Sequence, residues 1–329
     1  NPSDDLQKLL WETLERFNPD APLELLFDYV RIRFPTVDVQ KVVEEVLRLK
    51  LSYFLHEDYG FYSYSEHYHL GDIFVLCSHE LEKGVLVELK GRGCRQFESY
   101  LLAQERSWYE FFMDCLVAGG VMKRLDLAIN DKTGILSIPE LTEKCRQEEC
   151  VSVFRSFKSY RSGELVRRDE KECMGNTLYI GSLQSEVYFC VYEKDFEQYK
   201  KNNIPIEDAD VKNRFEIRLK NERAYYAVRD LLTYDNPEQT AFKIINRYIR
   251  FVDKDNSKPR SDWELNEHWA WFIGHNREQL KLTTKPEPYS FQRTLGWLSH
   301  QVAPTLKMAI KLDELNQTQF MKDILDHAK

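Results

Sequence analysis

The chain has 329 residues, of which 43% are hydrophobic, and its 19 Phe, 18 Tyr and 6 Trp supply a sizeable core, which argues against a disordered chain. Its net charge of −8 argues against indiscriminate coating of nucleic acid, although it leaves room for a local basic groove. The absence of a long apolar run and of a signal-peptide pattern argues against a membrane protein. The seven cysteines are scattered and form no CxxC pair, which favours location in a reducing cytoplasm and argues against a zinc site.

The first part of the chain mixes strand-like and helix-like patterns. Period-two alternation predicts strands at residues 23–34, 85–90 and 121–130. The aromatic run 59–77, broken at Gly71-Asp72, predicts a hairpin. Apolar residues at helical spacing predict helices at residues 3–18, 37–50 and 96–117, the last preceded by a turn at 91–95.

The second part predicts a few more strands and then helices. A helix over residues 138–147 leads to a basic strand over 154–160, and residues 177–192 alternate as a hairpin that continues into a helix. Residues 214–220 predict a last strand. From residue 221 the signals are helical, most clearly at 237–251, 263–272 and 291–327, where Pro304 interrupts the pattern.

Tyr192 is the candidate nucleophile. Period two places Tyr188 and Tyr192 on one face of the hairpin and Phe189 on the other, so Tyr192 ends a strand away from the core. With Lys194 and carboxylates nearby, it has the parts for attack on a phosphodiester, if a cation or metal stabilises a phenolate whose ordinary pKa is about 10. An ordinary half-buried strand tyrosine is the alternative, and Tyr179 and Tyr188 are rival nucleophiles.

Carboxylates recur on the polar face of separate predicted strands. They are Glu88, Asp126 and Glu216, and Arg124 and Arg218 flank them. A half-solvated antiparallel sheet would produce polar alternation by itself. A lone carboxylate on each of several strands nevertheless favours converging oxygen ligands, which suit Mg²⁺ or Mn²⁺.

His67 and His69 offer a competing metal site. Their side chains lie on one face of a predicted strand. A His-hydrophobe-His pair is the metal-ligand motif of a large class of tyrosine DNA-nicking enzymes. Two histidines on an edge strand are also ordinary, so the sequence leaves both readings open.

Basic residues cluster in two places. The first cluster lies in a predicted strand and its following turn, interleaved with aromatic residues, and comprises Arg155, Lys158, Arg161, Arg167 and Arg168. That pattern suits a phosphate backbone with bases that can stack. The second cluster lies in the helical region and comprises Lys243, Arg247, Arg250, Lys254, Lys258 and Arg260. Either cluster could also be a solvated face.

Five segments together resemble a known family. They are Gly91-Arg-Gly-Cys-Arg-Gln-Phe-Glu98, Arg124-Leu-Asp-Leu-Ala128, Thr177-Leu-Tyr-Ile-Gly-Ser182, Tyr192-Glu-Lys-Asp195 and Arg214-Phe-Glu-Ile-Arg-Leu219. Their order and approximate spacing are similar to those of the replication initiation factor family. That family comprises rolling-circle initiators of small staphylococcal-type plasmids and relaxases of Gram-positive integrative and conjugative elements. The resemblance covers about residues 25–220 and, more loosely, the helical tail.

The resemblance implies a sequence-specific, metal-dependent endonuclease and strand transferase. It implies that Tyr192 is the nicking tyrosine, that Lys194 is the lysine two residues on, and that Asp126 is the acidic residue of the Arg-Leu-Asp-Leu strand. Glu88 and Glu216 match acidic strand positions of the family, and we expect them to be metal ligands.

The chain departs from the family before the nucleophile. Plasmid initiators often have arginine two residues before the tyrosine, where this chain has Cys190. Arg124 or Arg218 are therefore the expected substitutes for holding the scissile phosphate.

We expect an α+β fold built on an antiparallel sheet with helices on its apolar face and an active site on its polar face. The expected divisions are an N-terminal helix (1–22), a catalytic nicking domain (23–220) and a helical C-terminal region (221–329). The expected function is a relaxase or rolling-circle replication initiator that nicks one strand at a transfer origin. It would form a 5′-phosphotyrosyl link, leave a free 3′-hydroxyl and later religate the strand.

The expected partners are single-stranded or hairpin origin DNA and a helicase. Two other function classes remain open: a non-catalytic origin-binding protein, and a metal-dependent phosphodiesterase that activates water and does not need Tyr192. Because the chain begins with Asn1 rather than methionine, there is also room for an upstream DNA-binding module.

Overall fold

The computed structural model describes residues 21–163, 175–275, 282–286, 295, 299 and 303–327. The strands are Leu23–Phe34 (β1), Leu55–Glu57 (β2), Glu66–Leu70 (β3), Ile73–Cys77 (β4), Val85–Lys90 (β5), Val121–Asp131 (β6), Cys150–Ser152 (β7), Phe157–Arg161 (β8), Asn176–Ile180 (β9), Val187–Glu193 (β10), Asn213–Lys220 (β11) and Ile249–Phe251 (β12). The helices are Val39–Lys41 (α1), Arg92–Ala103 (α2), Trp108–Val117 (α3), Ile138–Arg146 (α4), Lys194–Asn202 (α5), Asn221–Tyr234 (α6), Pro237–Tyr248 (α7), Glu267–Phe272 (α8), Ala303–Asn316 (α9) and Phe320–His327 (α10).

A ten-stranded antiparallel sheet organises the fold, in the order β2-β3-β4-β5-β1-β6-β11-β10-β9-β8. Its central strands alternate as the period-two pattern predicts, because every second residue is apolar and buried, as at Leu125, Leu127 and Ile129 of β6. The intervening residues form a polar face. This arrangement confirms the predicted α+β class with an antiparallel sheet.

Helices pack on the apolar face. Phe27 of β1 meets Trp108 and Phe112 of α3 edge to face, with ring centroids 5.1 and 5.3 Å apart. Fully burying one such ring stabilises the fold by roughly 1.5–3 kcal/mol. Helix α6 packs against β6 and buries Val228 and Leu231. The apolar layer therefore fixes the sheet, whose other face is free to carry polar groups.

An irregularity in β1 places an acidic residue on the polar face. The register with β6 shifts between Phe27 and Tyr29, while Phe27 and Val30 both belong to the core. Strict alternation cannot bury both, so the extra residue of a β-bulge, Asp28, joins Tyr29 off the core face.

The predicted helix over residues 96–117 is wrong, because it is two helices. Its first part begins earlier, at Arg92, so residues 91–95 are not a separate turn. The chain breaks at Glu105, whose φ is +51°, and α3 restarts from Ser107. Ser107 and Glu110 form a reciprocal capping box that satisfies backbone donors at the new N-terminus.

Several predicted bounds also need correction. The helix expected at residues 37–50 is only α1 followed by a π-type turn over Val42–Val46, and the strand expected at 154–160 begins at Phe157. Of the helices expected at 237–251 and 263–272, the first ends at Tyr248 and the second begins at Glu267. Residues 249–251 instead pair with β7, because Ile249 and Phe251 alternate with Arg250 and are both buried. The helix expected at residues 3–18 lies outside the described residues.

The chain has two compact units, one up to Glu287 and one from Pro288. The expected division at residue 220 falls inside the first unit. In the second unit, the Asp313 carboxylate accepts hydrogen bonds from the backbone N–H groups of Phe320 and Met321, at 2.8 and 2.9 Å, and so caps α10. Among the described residues, no helix is long and apolar enough to cross a membrane.

Candidate active site

Tyr192 lies on the polar face near the end of β10, directly before α5. Its hydroxyl donates a hydrogen bond to Glu216 Oε1 at 2.9 Å, and Lys194 Nζ donates to the same hydroxyl at 3.4 Å. Burial raises the pKa of Tyr192 well above its ordinary value, and the positive charge of Arg214 opposes that rise. The phenol is therefore protonated at neutral pH, and Glu216 lies where it can accept the proton.

Arg214 is directly opposite Tyr192 on the neighbouring strand β11. Its Nη1 donates to Asp28 Oδ1 at 2.8 Å and its Nε donates to Asn130 Oδ1 at 2.7 Å. Burial lowers the pKa of the Arg214 guanidinium. The electrostatic effects of Asp28, Tyr192 and Glu216 are larger, so the pKa is raised overall. Arg214 is thus a fixed cation beside the candidate nucleophile.

Asp126 on β6 and Glu216 on β11 lie on neighbouring strands, and each pairs with an arginine. Arg124 donates two bonds to Asp126, at 2.9 and 2.6 Å, whereas Arg218 Nη2 lies 2.6 Å from Glu216 Oε2 and Arg218 Nε lies 3.8 Å from Asp126. Burial raises the pKa of Asp126 to about 6 against the effect of Arg124, and the charge of Glu216 contributes to the rise. Both carboxylates lie within 3.8 Å of nitrogens of the same guanidinium, that of Arg218.

Glu88 belongs to a different network. It accepts hydrogen bonds from the Tyr29 hydroxyl and from Arg31 Nε, each at 2.6 Å, and its other oxygen lies 2.6 Å from Lys90 Nζ. Strand β1 separates Glu88 on β5 from Asp126 on β6, so their backbones are about 10 Å apart. The structure does not bring all three predicted carboxylates together.

The donor chemistry at Asp126 and Glu216 suits a hard divalent cation. In the described residues, no group of three or more His, Cys, Asp or Glu side chains is arranged to hold a metal ion. Mg²⁺ does not need such a cage, because it commonly binds through one or two carboxylates together with waters and substrate phosphates. A buried carboxylate whose pKa is raised is the kind of group that a bound cation would relieve.

The histidine pair lies elsewhere on the sheet. His67 is buried, its Nδ1 lies 2.6 Å from the backbone oxygen of Tyr59, and its ring packs against Phe61. His69 stacks on Phe74. Both histidines are on β3, six strands from Tyr192 in the sheet order, so they are part of an aromatic cluster rather than ligands at the Tyr192 centre.

The first basic cluster does not form one surface. Lys158 pairs with Tyr179 across the β8–β9 ladder, on the polar face, whereas Arg161 is one residue out of phase and points to the opposite side. Arg155 is exposed and precedes the strand. Arg167 and Arg168 lie outside the described residues, so their DNA-binding role stays a prediction.

The rival tyrosines lack the contacts of Tyr192. Tyr188 is only 5% exposed, and the nearest cations to its ring are Lys220 and Arg218, at 5.1 and 5.7 Å. Tyr179 lies beside Cys190, with its pKa raised to about 12 by burial first and by the thiol second. Among these three, only Tyr192 has both a carboxylate acceptor and a lysine at its hydroxyl.

Three residues of the centre were not predicted from the sequence: Asp28, Asn130 and Arg214. Arg214 was visible as a polar-face residue of its strand, but its position opposite Tyr192 depends on the strand register. Asp28 reaches the polar face through the bulge. A register for the β10–β11 pair would have found Arg214, whereas the bulge left no sequence signal that we can identify.

We expect the Asp126→Asn substitution to change how stability depends on pH. Because the pKa of Asp126 in the fold, about 6, lies above its ordinary value of 3.8, the charge of this carboxylate removes stability as pH rises from about 4 to 6. The difference between these two pKa values corresponds to roughly 3 kcal/mol. Over this window, the variant should gain up to that amount in unfolding free energy relative to the wild type, measured by urea unfolding. A pH-independent difference would contradict the raised pKa.

The sequence and the fold both match those of known proteins. Residues 120–325 match the family described as "Replication initiation factor", and residues 24–114 match the "Rolling Circle replication initiation protein N-terminal domain". The chain is 41% identical over 311 residues to a Bacillus subtilis (strain 168) protein named "Putative DNA relaxase NicK", covering 94% of this chain and 87% of that protein. It also resembles the solved structure of a rolling-circle replication initiator protein from Geobacillus stearothermophilus, with TM-score 0.67 and 26% identity, covering 80% of this chain and all of the other.

Proposed function

This chain belongs to the replication initiation factor family, and from that premise we propose that Tyr192 is the nucleophile with which it cuts DNA. It is a DNA-nicking enzyme of the relaxase and replication-initiator type. The observation that carries the assignment of Tyr192 is its hydroxyl, which is hydrogen-bonded to Glu216 and approached by Lys194. A nucleophile, a proton acceptor and a cation in mutual contact are the parts that attack on a phosphodiester requires.

In the proposed step, the Tyr192 oxygen attacks the scissile phosphorus as its proton passes to Glu216 Oε1. The bond from phosphorus to the 3′-oxygen breaks, and that oxygen leaves as a hydroxyl after taking a proton from solvent. The product is a 5′-phosphotyrosyl link with a free 3′-hydroxyl. Since one phosphoester replaces another, the bond energy is kept, and the 3′-hydroxyl can reverse the step and religate the strand without a nucleotide cofactor.

Cations around the tyrosine stabilise the charge that develops. Arg214 lies beside the ring, fixed by Asp28 and Asn130, and Lys194 reaches the hydroxyl. Fixed charges aimed at a developing oxyanion accelerate a reaction because they need no reorganisation. Plasmid initiators often carry an arginine two residues before the nucleophile, and Arg218 would take its place in this chain. Arg218 is paired with Glu216 and can turn to a bound phosphate.

We also propose that Asp126 and Glu216 hold a divalent ion, Mg²⁺ or Mn²⁺. When bound, such an ion polarises a phosphate oxygen and offsets its charge. Glu88, which the sequence suggested as a third ligand, would act on Arg31 and Lys90 instead. Asp126 and Glu216 would hold the ion, and their present partners are Arg124 and Arg218.

The proposed substrate is single-stranded or extruded hairpin DNA at the transfer origin of an integrative and conjugative element. An unpaired strand suits this site, because the polar face of a sheet is open to a flexible chain but does not match a groove of duplex DNA. A helicase is the proposed partner, since a nick primes strand displacement only if the duplex is opened.

Trapping the covalent adduct tests the assignment. The wild-type chain is incubated with Mg²⁺ and a supercoiled plasmid that carries its gene and flanking DNA, and the protein–DNA adduct is isolated under denaturing conditions and digested. Mass spectrometry should find the nucleotide on the peptide that contains Tyr192. Chelation of the metal with EDTA should prevent adduct formation.

The other function classes give different results in this assay. A non-catalytic origin-binding protein leaves the plasmid supercoiled. A phosphodiesterase that uses activated water cuts the plasmid but leaves no DNA on the protein. An adduct on Tyr179 or Tyr188 would show that Tyr192 is not the nucleophile. An equal amount of adduct in the presence of EDTA would contradict the proposed metal ion.

A further inference from the structure

A second group of cations and aromatic rings lies on the same polar face, on the other side of Asp126. The Arg31 guanidinium lies 4.3 Å from the centroid of the Tyr62 ring, and Lys90 Nζ donates to the Tyr62 hydroxyl at 3.2 Å. Glu88, which is buried, fixes both cations. The ring of Tyr62 is therefore held in one orientation from two sides.

The ring of Tyr62 is held but not covered. Tyr62 is 51% exposed, and its loop neighbours Tyr59 and Phe61 also present much of their rings to solvent. A tyrosine that served only to pack the fold would be covered by other side chains. An ordered and exposed ring beside two cations instead has the composition of a platform on which a nucleobase stacks.

The strand register connects this platform to the nicking centre. One row of cross-strand neighbours crosses five adjacent strands. It consists of Tyr188 on β10, Arg218 on β11, Asp126 on β6, Tyr29 on β1 and Lys90 on β5. Adjacent strands are about 4.8 Å apart, so this row spans about 19 Å in a direction perpendicular to the strands.

Cations follow the same direction along the neighbouring row. Lys220, Arg124 and Arg31 are cross-strand neighbours on β11, β6 and β1, and Arg124 lies over the Tyr29 ring at 3.9 Å. Positive groups thus extend along the sheet from the candidate active site to the exposed rings of the aromatic loop. This is the pattern that binds the backbone and bases of one DNA strand.

We propose that Tyr62, with Arg31 and Lys90, forms a second DNA subsite that stacks unpaired bases flanking the nick. The proposal rests on the proposed function, because it concerns the strand that Tyr192 cleaves. Beyond the loop, the carboxylates of Glu57 and Asp58 are exposed and repel phosphates. The bound strand therefore ends near this edge.

Binding of a fluorescein-labelled thirty-residue oligo(dT) tests the subsite. A Tyr192→Phe parent is used so that no cleavage occurs, and the affinity is measured by fluorescence anisotropy at low salt. Tyr62→Ala should weaken binding about tenfold, because stacking on an aromatic ring contributes substantially for each base. Tyr62→Phe keeps the ring and should bind within about twofold of the parent.

Two control variants separate stacking from charge and from general surface effects. Lys90→Ala should reduce the slope of log affinity against log salt by about 0.7, whereas Tyr62→Ala should leave that slope unchanged. Tyr225→Ala removes a tyrosine that is 43% exposed on α6, a helix that packs on the apolar face, and should have no effect. Circular dichroism checks that each variant is folded.

Equal affinity of Tyr62→Ala and the parent would overturn the subsite, and so would a parent that does not bind oligo(dT). Failure of the proposed function gives a different result. In that case, the chain with intact Tyr192 forms no adduct with supercoiled plasmid, while the effect of Tyr62→Ala on oligo(dT) binding persists.

Discussion

Replacing Tyr192 with phenylalanine should abolish nicking while DNA binding stays within about twofold of the wild type. The substitution removes one oxygen, which is the attacking atom, so the loss should be on the order of 10⁴-fold or more. It also removes a hydrogen bond to Glu216, which costs roughly 1 kcal/mol of stability and leaves the fold intact. Conversion of supercoiled to open-circular plasmid measures nicking, and a gel-shift assay measures binding.

Matched controls come from the same face of the sheet. Tyr179→Phe and Tyr188→Phe each remove one hydroxyl near the centre, and both should keep most of the nicking activity, since neither hydroxyl has the partners of Tyr192. Full nicking by Tyr192→Phe would exclude it as the nucleophile. Loss of nicking in all three variants would instead indicate that the face acts through its packing.

Much of the sheet could be predicted because alternation is a local property. The strands that carry Asp126, Tyr192 and Glu216 each have an apolar residue at every second position, and burial of that set fixes which residues face the other way. The same pattern correctly assigned Glu88 and Arg218 to the polar face. Sequence alone therefore predicted which of these side chains share the polar face that carries the candidate site.

The parts that could not be predicted depend on which strands are neighbours. Glu88 and Asp126 look alike in sequence, yet β1 lies between their strands, so Glu88 fixes Arg31 and Lys90 instead of joining the carboxylate pair. Arg214 acquires its position beside Tyr192 only through the β10–β11 register. Long-range pairing of this kind has no local pattern in the chain.

The centre also depends on groups that hold Arg214 in place. Asp28 and Asn130 accept from two different nitrogens of the guanidinium, and both acceptors lie on strands other than that of Tyr192. Arg214 is buried in this arrangement. Its charge is oriented before any DNA binds, and such preorganisation is the main source of electrostatic catalysis.

Replacing Arg214 with lysine should therefore lower nicking by about 10²- to 10³-fold although the charge is kept. Lysine presents a single ammonium and cannot bond Asp28 and Asn130 with the fork geometry of arginine, so the cation moves and the pKa of Tyr192 rises further. The loss, measured by adduct formation, should be smaller at pH 9 than at pH 7, since hydroxide helps to remove the phenol proton.

A purely structural role for Arg214 makes a different prediction. Asp28→Asn keeps the shape of the acceptor but leaves Arg214 without its buried counter-charge, and breaking such a pair costs about 3–5 kcal/mol. If Arg214 acted only through stability, nicking by Arg214→Lys and by Asp28→Asn would follow the folded fraction, measured by near-ultraviolet circular dichroism, and raising the pH would restore nothing. A different result would place the guanidinium in the reaction: the Arg214→Lys variant is fully folded, its nicking activity falls, and part of that activity returns at pH 9. Only a charge that acts on the Tyr192 phenol connects the loss of activity with its recovery at high pH.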